Sequence, residues 1–205
     1  VDTLPAVLLQ PIDTTVCNGK PATFKTDAEG TNSTYTWQVN NGIGFSNVPN
    51  SGIYSGASTN ELNISATDAA MHNYQYRCIV SGLCLPNDTT DIAILRVDRL
   101  PAVTSHPITA TICDGGNTLF SITATGTNLN YQWQENSGAG FFDIANGSRY
   151  SGVNTNILNV TGVSTSMQGY TYRCIVSGKC DPPAASNPAT LHINTLPDVT
   201  SQPKD

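Results

Sequence analysis

Tyr76 to Cys84 reads YRCIVSGLC, and Tyr172 to Cys180 reads YRCIVSGKC. The two stretches differ at one residue and lie 96 positions apart (172 − 76 = 96). With the two residues before it, the first becomes YQYRCIV. That places Tyr74, Tyr76, Cys78 and Val80 on one face at period two, the pattern of a half-buried strand. A cysteine thus enters a core, and a second cysteine follows six residues later.

The same spacing governs the rest of the chain. Leu4-Pro5 recurs at Leu100-Pro101 and Leu196-Pro197, Cys17 maps to Cys113, Trp37 to Trp133, and Tyr54 to Tyr150. Aligning residues 2–97 with 98–193 needs no gap and gives 43 identities in 96 pairs. A period this long lets each unit hold its own core, so the reading is tandem domains over 1–97 and 98–193, not a solenoid. The tail NTLPDVTSQPKD resembles the opening of the second unit, so residues 194–205 are expected to be a linker and the start of a third repeat.

Within one unit, ATFKTDA, STYTWQV, ELNIS and DIAILRV read as further strands, with Tyr35 and Trp37 sharing a face. In DIAILRV, Ile92, Ile94 and Arg96 alternate against Ala93, Leu95 and Val97. Turns fall at CNG, NNGIG, PNSG and SGLCLPND. TDAAM can form one helical turn, and no longer amphipathic helix is expected. About seven short strands per unit predict an all-β fold: two tandem sandwiches in an elongated arrangement, joined by short V-D-R-L-P linkers.

Only 12% of residues are charged and the net charge is −6, which argues against general electrostatic binding of nucleic acid or an anionic membrane. No stretch approaches the roughly 18 apolar residues of a membrane span, so no membrane insertion is expected. No signal peptide is recognisable, so an export signal is expected outside this sequence. Six cysteines at repeated positions favour an oxidising compartment. Zinc would want CxxC or CxxH spacings, and none occurs.

The spacing of Trp37, Leu62-Asn63-Ile64 and Tyr76-Arg77-Cys78 resembles the immunoglobulin superfamily, in particular its I-set-like domains. The resemblance implies strand B at NGKPATF, strand C at Trp37, strand E at LNI and strand F at YRC. It places Trp37, Trp133, Cys78 and Cys174 in the cores and Tyr76 and Tyr172 at tyrosine corners. The strand B cysteine is missing: Thr26 and Ile122 stand near its position. His72 and Gln168 replace the aspartate of the family's D-x-G-x-Y-x-C run. The whole unit is also similar to repeats in large secreted or surface proteins of Bacteroidetes, among them adhesins and polysaccharide-degrading enzymes.

On that scaffold Cys78 and Cys174 are expected to be buried free thiols. Pairing Cys78 with Cys84 is difficult, because four extended residues span roughly 13 Å while a disulfide needs Cα atoms within about 7 Å. Cys17 and Cys84 are expected at opposite ends of one sandwich. Three arrangements stay open: a bridge between consecutive repeats, Cys17 to Cys180, leaving Cys84 and Cys113 for flanking units; Cys17–Cys84 with Cys113–Cys180; and fully reduced thiols.

For function, His72, His106 and His192 have no histidine at their repeat equivalents, and no GxSxG, HExxH or phosphate-binding glycine loop is present. No catalytic residue, cofactor or metal site is expected. Asn87, Asp88 and Asp91 cluster, but their equivalents are Pro183, Ala184 and Asn187, so a shared calcium site is not expected. Sequons occur at Asn32, Asn63, Asn87, Asn146 and Asn159, and Thr3, Thr14 and Thr89 fit a weak bacterial O-glycosylation pattern. Tyr54-Ser55-Gly56 and Tyr150-Ser151-Gly152 are expected to pin a loop. Phe142 has Ser46 as its equivalent and lies beside Phe141, so one of the two rings faces away from the other. Phe142 is therefore the candidate contact residue.

The expected function is a non-catalytic spacer and adhesion module of a secreted or cell-surface multidomain bacterial protein. Its partners would be neighbouring domains of the same chain, with a polysaccharide or cell-surface ligand as a further possibility. The alternatives are a carbohydrate-binding accessory module of a secreted polysaccharide-degrading enzyme and a eukaryotic adhesion-receptor ectodomain.

Overall fold

The structure, a computed structural model, describes residues 1–195 and 197. The expected start of a third repeat therefore lies, apart from 194, 195 and 197, outside the described residues. The chain divides into two compact units, Val1–Arg99 and Leu100–Asp205.

In the first unit the strands are β1 (Ala6–Leu9), β2 (Thr14–Cys17), β3 (Ala22–Lys25), β4 (Asp27–Glu29), β5 (Thr34–Asn40), β6 (Phe45–Asn47), β7 (Tyr54–Ser55), β8 (Glu61–Ile64), β9 (Tyr74–Ser81), β10 (Asp88–Thr89) and β11 (Ala93–Asp98). One sheet has the order β2-β11-β9-β5-β6, with β10 on β9. The other has the order β3-β8-β7, and β1 pairs with β4. All pairings are antiparallel except β2 with β11, which run parallel with Thr14 opposite Leu95 and Cys17 opposite Asp98.

The second unit repeats this as β12 (Ala102–Ser105), β13 (Ala110–Cys113), β14 (Thr118–Ser121), β15 (Thr123–Thr125), β16 (Asn130–Asn136), β17 (Phe141–Asp143), β18 (Tyr150–Ser151), β19 (Ile157–Val160), β20 (Thr171–Ser177), β21 (Ala184–Ala185) and β22 (Ala189–Asn194). Each range is the first unit's shifted by 96, apart from the start of β20 at Thr171, one residue late. A single 3-10 turn precedes the Tyr-rich strand in each unit, at Ala69–Met71 and Thr165–Met167.

Period-two alternation builds each core. β9 buries Tyr76, Cys78 and Val80, and β20 buries Tyr172, Cys174 and Val176. Trp37 stands opposite Cys78 and Trp133 opposite Cys174, and both indoles are fully buried. Burying a large apolar side chain contributes roughly 1.5–3 kcal/mol. Phe24 stacks on Tyr76 with ring centroids 4.7 Å apart, and Phe120 stacks on Tyr172 at 4.9 Å.

Two strands differ from their sequence reading. ATFKTDA is split at Thr26, which is buried between β3 and β4. Its N–H donates to the Asn60 carbonyl and its hydroxyl to the Leu9 carbonyl, so a polar side chain sits in the core with its hydrogen bond made. In DIAILRV the strand begins at Ala93 and buries Ala93, Leu95 and Val97, leaving Ile92 exposed. Alternation fixed two faces there, and the β9 pairing decides which one turns inward.

Candidate functional site

The repeat supplies an internal comparison: positions that keep their chemistry maintain the fold, and positions that change it within one geometry are candidates for function. Two of the three histidines, His72 and His106, fall in the first group. Val97 N–H donates to His72 Nδ1 (3.1 Å), and Ile193 N–H donates to Gln168 Oε1, its counterpart. Asn187 N–H donates to His106 Nδ1 (3.1 Å) where Asp91 N–H donates to Gln10 Oε1 (2.7 Å). In both cases an imidazole and an amide do the same backbone-capping work. Among the described residues no group of three His, Cys, Asp or Glu side chains is placed to hold a metal ion.

Asp88, the centre of the acidic cluster, accepts from Val7 N–H (2.8 Å) and from Thr89 N–H (2.8 Å). It ties the edge strand β1 to the β9–β10 hairpin.

Cys78 and Cys174 are free and fully buried, and burial pushes each thiol up to about 11. Cys84 and Cys113 are also free, whereas Cys17 and Cys180 are disulfide-bonded.

The adjacent phenylalanines have separate roles. Phe141 lies under the Arg173 guanidinium, 4.1 Å from the ring centroid, and Arg173 Nε donates to Gln134 Oε1. Phe45, Arg77 and Gln38 repeat that arrangement at 4.0 Å in the first unit. Phe142 faces the other way and is 64% exposed. Its register partner on β16 is Glu135.

Glu135 is the residue that the sequence reading passed over. It lies two positions from Trp133, on the core-facing side of β16, where the first unit has Val39. The signal was available: a carboxylate at an inward strand position in one repeat, against valine in the other. Tyr150 and Tyr172 both donate their hydroxyls to Glu135 Oε2, the second at 3.1 Å. Burial foremost, with hydrogen bonding to Glu135, raises the pKa of both phenols. In the first unit the counterparts Tyr54 and Tyr76 bond each other at 3.1 Å. These bonds correct the tyrosine-corner expectation: the Tyr76 hydroxyl bonds Tyr54 of the opposite sheet, and the Tyr172 hydroxyl bonds Tyr150 and Glu135, instead of upstream backbone.

Glu135, Phe142, Asp143 and Tyr150, with Ser137, Ile144 and Ala145, line a concave pocket of about 270 Å3 in the second unit. Asp143 Oδ1 accepts from Gln134 Nε2 at 2.8 Å, as Asn47 Oδ1 does from Gln38 Nε2 in the first unit, which holds its side chain on the face of the sheet opposite to Glu135 and Phe142. The corresponding first-unit residues Val39, Ser46 and Asn47 carry neither the carboxylates nor the ring.

The fold matches solved immunoglobulin-domain structures. The titin I-band fragment I67-I69 aligns over 94% of this chain and 66% of its own, with 19% identity and a TM-score of 0.74. The fold is that of tandem immunoglobulin-like domains. The Ig1+Ig2 pair of DIP-gamma aligns over 93% of the chain and 98% of its own, with 14% identity and a TM-score of 0.68. Sidekick-1 immunoglobulin domains 1-4 align over 94% of the chain and 49% of their own, with 18% identity and a TM-score of 0.63. In sequence, endoglucanase C of Cellulomonas fimi is 31% identical over 127 residues, 62% of this chain but 11% of that enzyme's length. No protein-family model matches. Among the described residues no helix is long and apolar enough to cross a membrane.

Proposed function

We propose that the chain is a non-catalytic immunoglobulin-like spacer and adhesion module of a secreted or cell-surface multidomain protein, of the bacterial kind that its repeat unit resembles. The observation that carries this reading is the strand-for-strand repetition at 96 residues. His72, His106 and Asp88 meanwhile serve as backbone caps. The disulfide state of Cys17 and Cys180 supports an oxidising, extracellular compartment. A bridge from Cys17 to Cys180 would staple consecutive repeats and limit their swing. It is supported by the free state of Cys84 and Cys113, which occupy the same repeat positions in the other unit.

Peptide mapping without reduction tests the staple: a Cys17–Cys180 cross-linked peptide is expected, and a Cys17–Cys84 peptide overturns it. Small-angle scattering tests the spacer, for which an elongated particle is expected and a compact one counts against it.

A second reading, a carbohydrate-binding accessory module, is favoured by the exposed Phe142 ring and by the partial similarity to an endoglucanase. Retardation in gels containing neutral polysaccharides tests it, and unaltered migration in all of them counts against it.

A further inference from the structure

We propose that the pocket between β17 and β18 binds one uncharged pyranose residue of a glycan, its ring against Phe142 and its hydroxyls donating to Glu135. This inference rests on the carbohydrate-binding reading and places it at one site in the second unit.

Three features point to that chemistry. First, Phe142 exposes most of its ring beside a concave surface, whereas its neighbour Phe141 is occupied by Arg173. Apolar ring faces flanked by a few polar groups are the usual make-up of small-ligand sites. Secondly, the acceptor is fixed in place. Two phenol hydroxyls hold Glu135, so its carboxylate has oriented lone pairs left for neutral donors. The tyrosine hydroxyls also solvate the Glu135 charge without a cation, and among the described residues no ion pair reaches it. Thirdly, no Lys, Arg or His lines the pocket, and the Glu135 carboxylate repels uronates, sulfates and phosphates. What remains is a ligand rich in hydroxyl donors with an apolar face, which describes a neutral hexose.

Nothing in the fold requires these groups, because the first unit builds the same strands with Val39, Ser46 and Asn47. The half-buried carboxylate of Glu135 replaces an apolar side chain on a core-facing position, a change with a desolvation cost that the bonds from Tyr150 and Tyr172 offset, while the first unit satisfies the same two phenols with one bond between Tyr54 and Tyr76.

The first unit also provides the test variants. Phe142→Ser and Glu135→Val install residues that the same backbone already carries at Ser46 and Val39, and thermal unfolding verifies that each variant folds. Calorimetric titration of the full chain with cellohexaose is expected to show binding that Glu135→Val weakens about tenfold or more, since a hydrogen bond to a charged group contributes about that factor, and that Phe142→Ser also weakens, since the ring face that the sugar packs on is lost. Wild-type affinity in either folded variant overturns the site while leaving the carbohydrate-binding reading intact. Binding of hexaglucosamine without binding of cellohexaose overturns the proposal in favour of a cationic amine ligand. Absence of binding to either oligosaccharide, and to soluble neutral polysaccharides, overturns the site and the reading together.

Discussion

Trp37 on β5 lies directly opposite Cys78 on β9, and neither side chain is exposed to solvent. Trp133 and Cys174 repeat the relationship in the second unit. The indole Nε1 donates to the Thr59 carbonyl in one unit and to the Thr155 carbonyl in the other, each at 2.9 Å. The tryptophan therefore joins the two sheets through both packing and a polar tip.

Trp37→Ala is expected to cost about 3–5 kcal/mol, enough to unfold the first unit under conditions where the wild type is folded. Amide exchange read by mass spectrometry should show protection lost over β5 and β9. Retained protection there would mean that the core closes over the cavity.

The buried thiols should be chemically silent. Because burial raises Cys78 and Cys174 to about 11 from an ordinary 9.0, little thiolate exists at neutral pH. Timed alkylation should modify exposed Cys113 first and Cys78 and Cys174 only on unfolding. The linkage has a definite sign: a folded value raised above the unfolded one contributes stability that is complete below pH 9 and lost as the pH climbs through about 11. Substituting Cys78 with Ala should reduce the alkaline dependence of its unit, to which the Tyr76 phenol, also raised by burial, contributes as well, and an unchanged profile would assign all of it to other groups.

Much of this architecture was legible in the sequence because it is periodic. Alternation in YQYRCIV identifies a buried face, and the gapless 96-residue offset carries the assignment from one unit to the next. DIAILRV was ambiguous because both of its faces carry large apolar residues, so only the pairing with β9 selects Ala93, Leu95 and Val97. The break at Thr26 was hidden because a threonine suits a strand and its local sequence does not reveal that its hydroxyl reaches Leu9. At the candidate site, Phe142 stood out as an aromatic facing serine in the repeat. Glu135 did not, since a charged residue in a strand reads as solvent-facing until the side it shares with Trp133 is considered.

Gly56 and Gly152 mark a constraint that no other residue meets. Their φ angles are +74° and +76°, and a Cβ at either would collide with the carbonyl of Glu61 or Ile157. Alanine at either position combines left-handed backbone strain with that clash and should cost about 1–3 kcal/mol. Gly42 also has positive φ but opens to empty space, so Gly42→Ala should cost less. Thermal unfolding of the three variants measures the difference, and equal losses would show that φ alone sets the cost.

Ser186 offers the most specific test of how β20 is held. At Cys174 the strand's neighbour changes from β21 to β22, and the Cys174 N–H meets no strand partner; it donates to Ser186 Oγ at 2.9 Å. Ser186 N–H returns a bond to the Cys174 carbonyl, and its hydroxyl donates onward to the Asn187 carbonyl. Thr90 performs the same three tasks for Cys78. Ser186→Ala removes the acceptor while keeping the backbone bond, leaving a buried N–H unsatisfied at about 1–3 kcal/mol. Ser186→Thr supplies the first unit's own residue and should restore stability to within about 0.5 kcal/mol of wild type. Denaturant titration of both variants decides the matter: if threonine is as costly as alanine, packing around the residue and not its hydroxyl holds the strand junction.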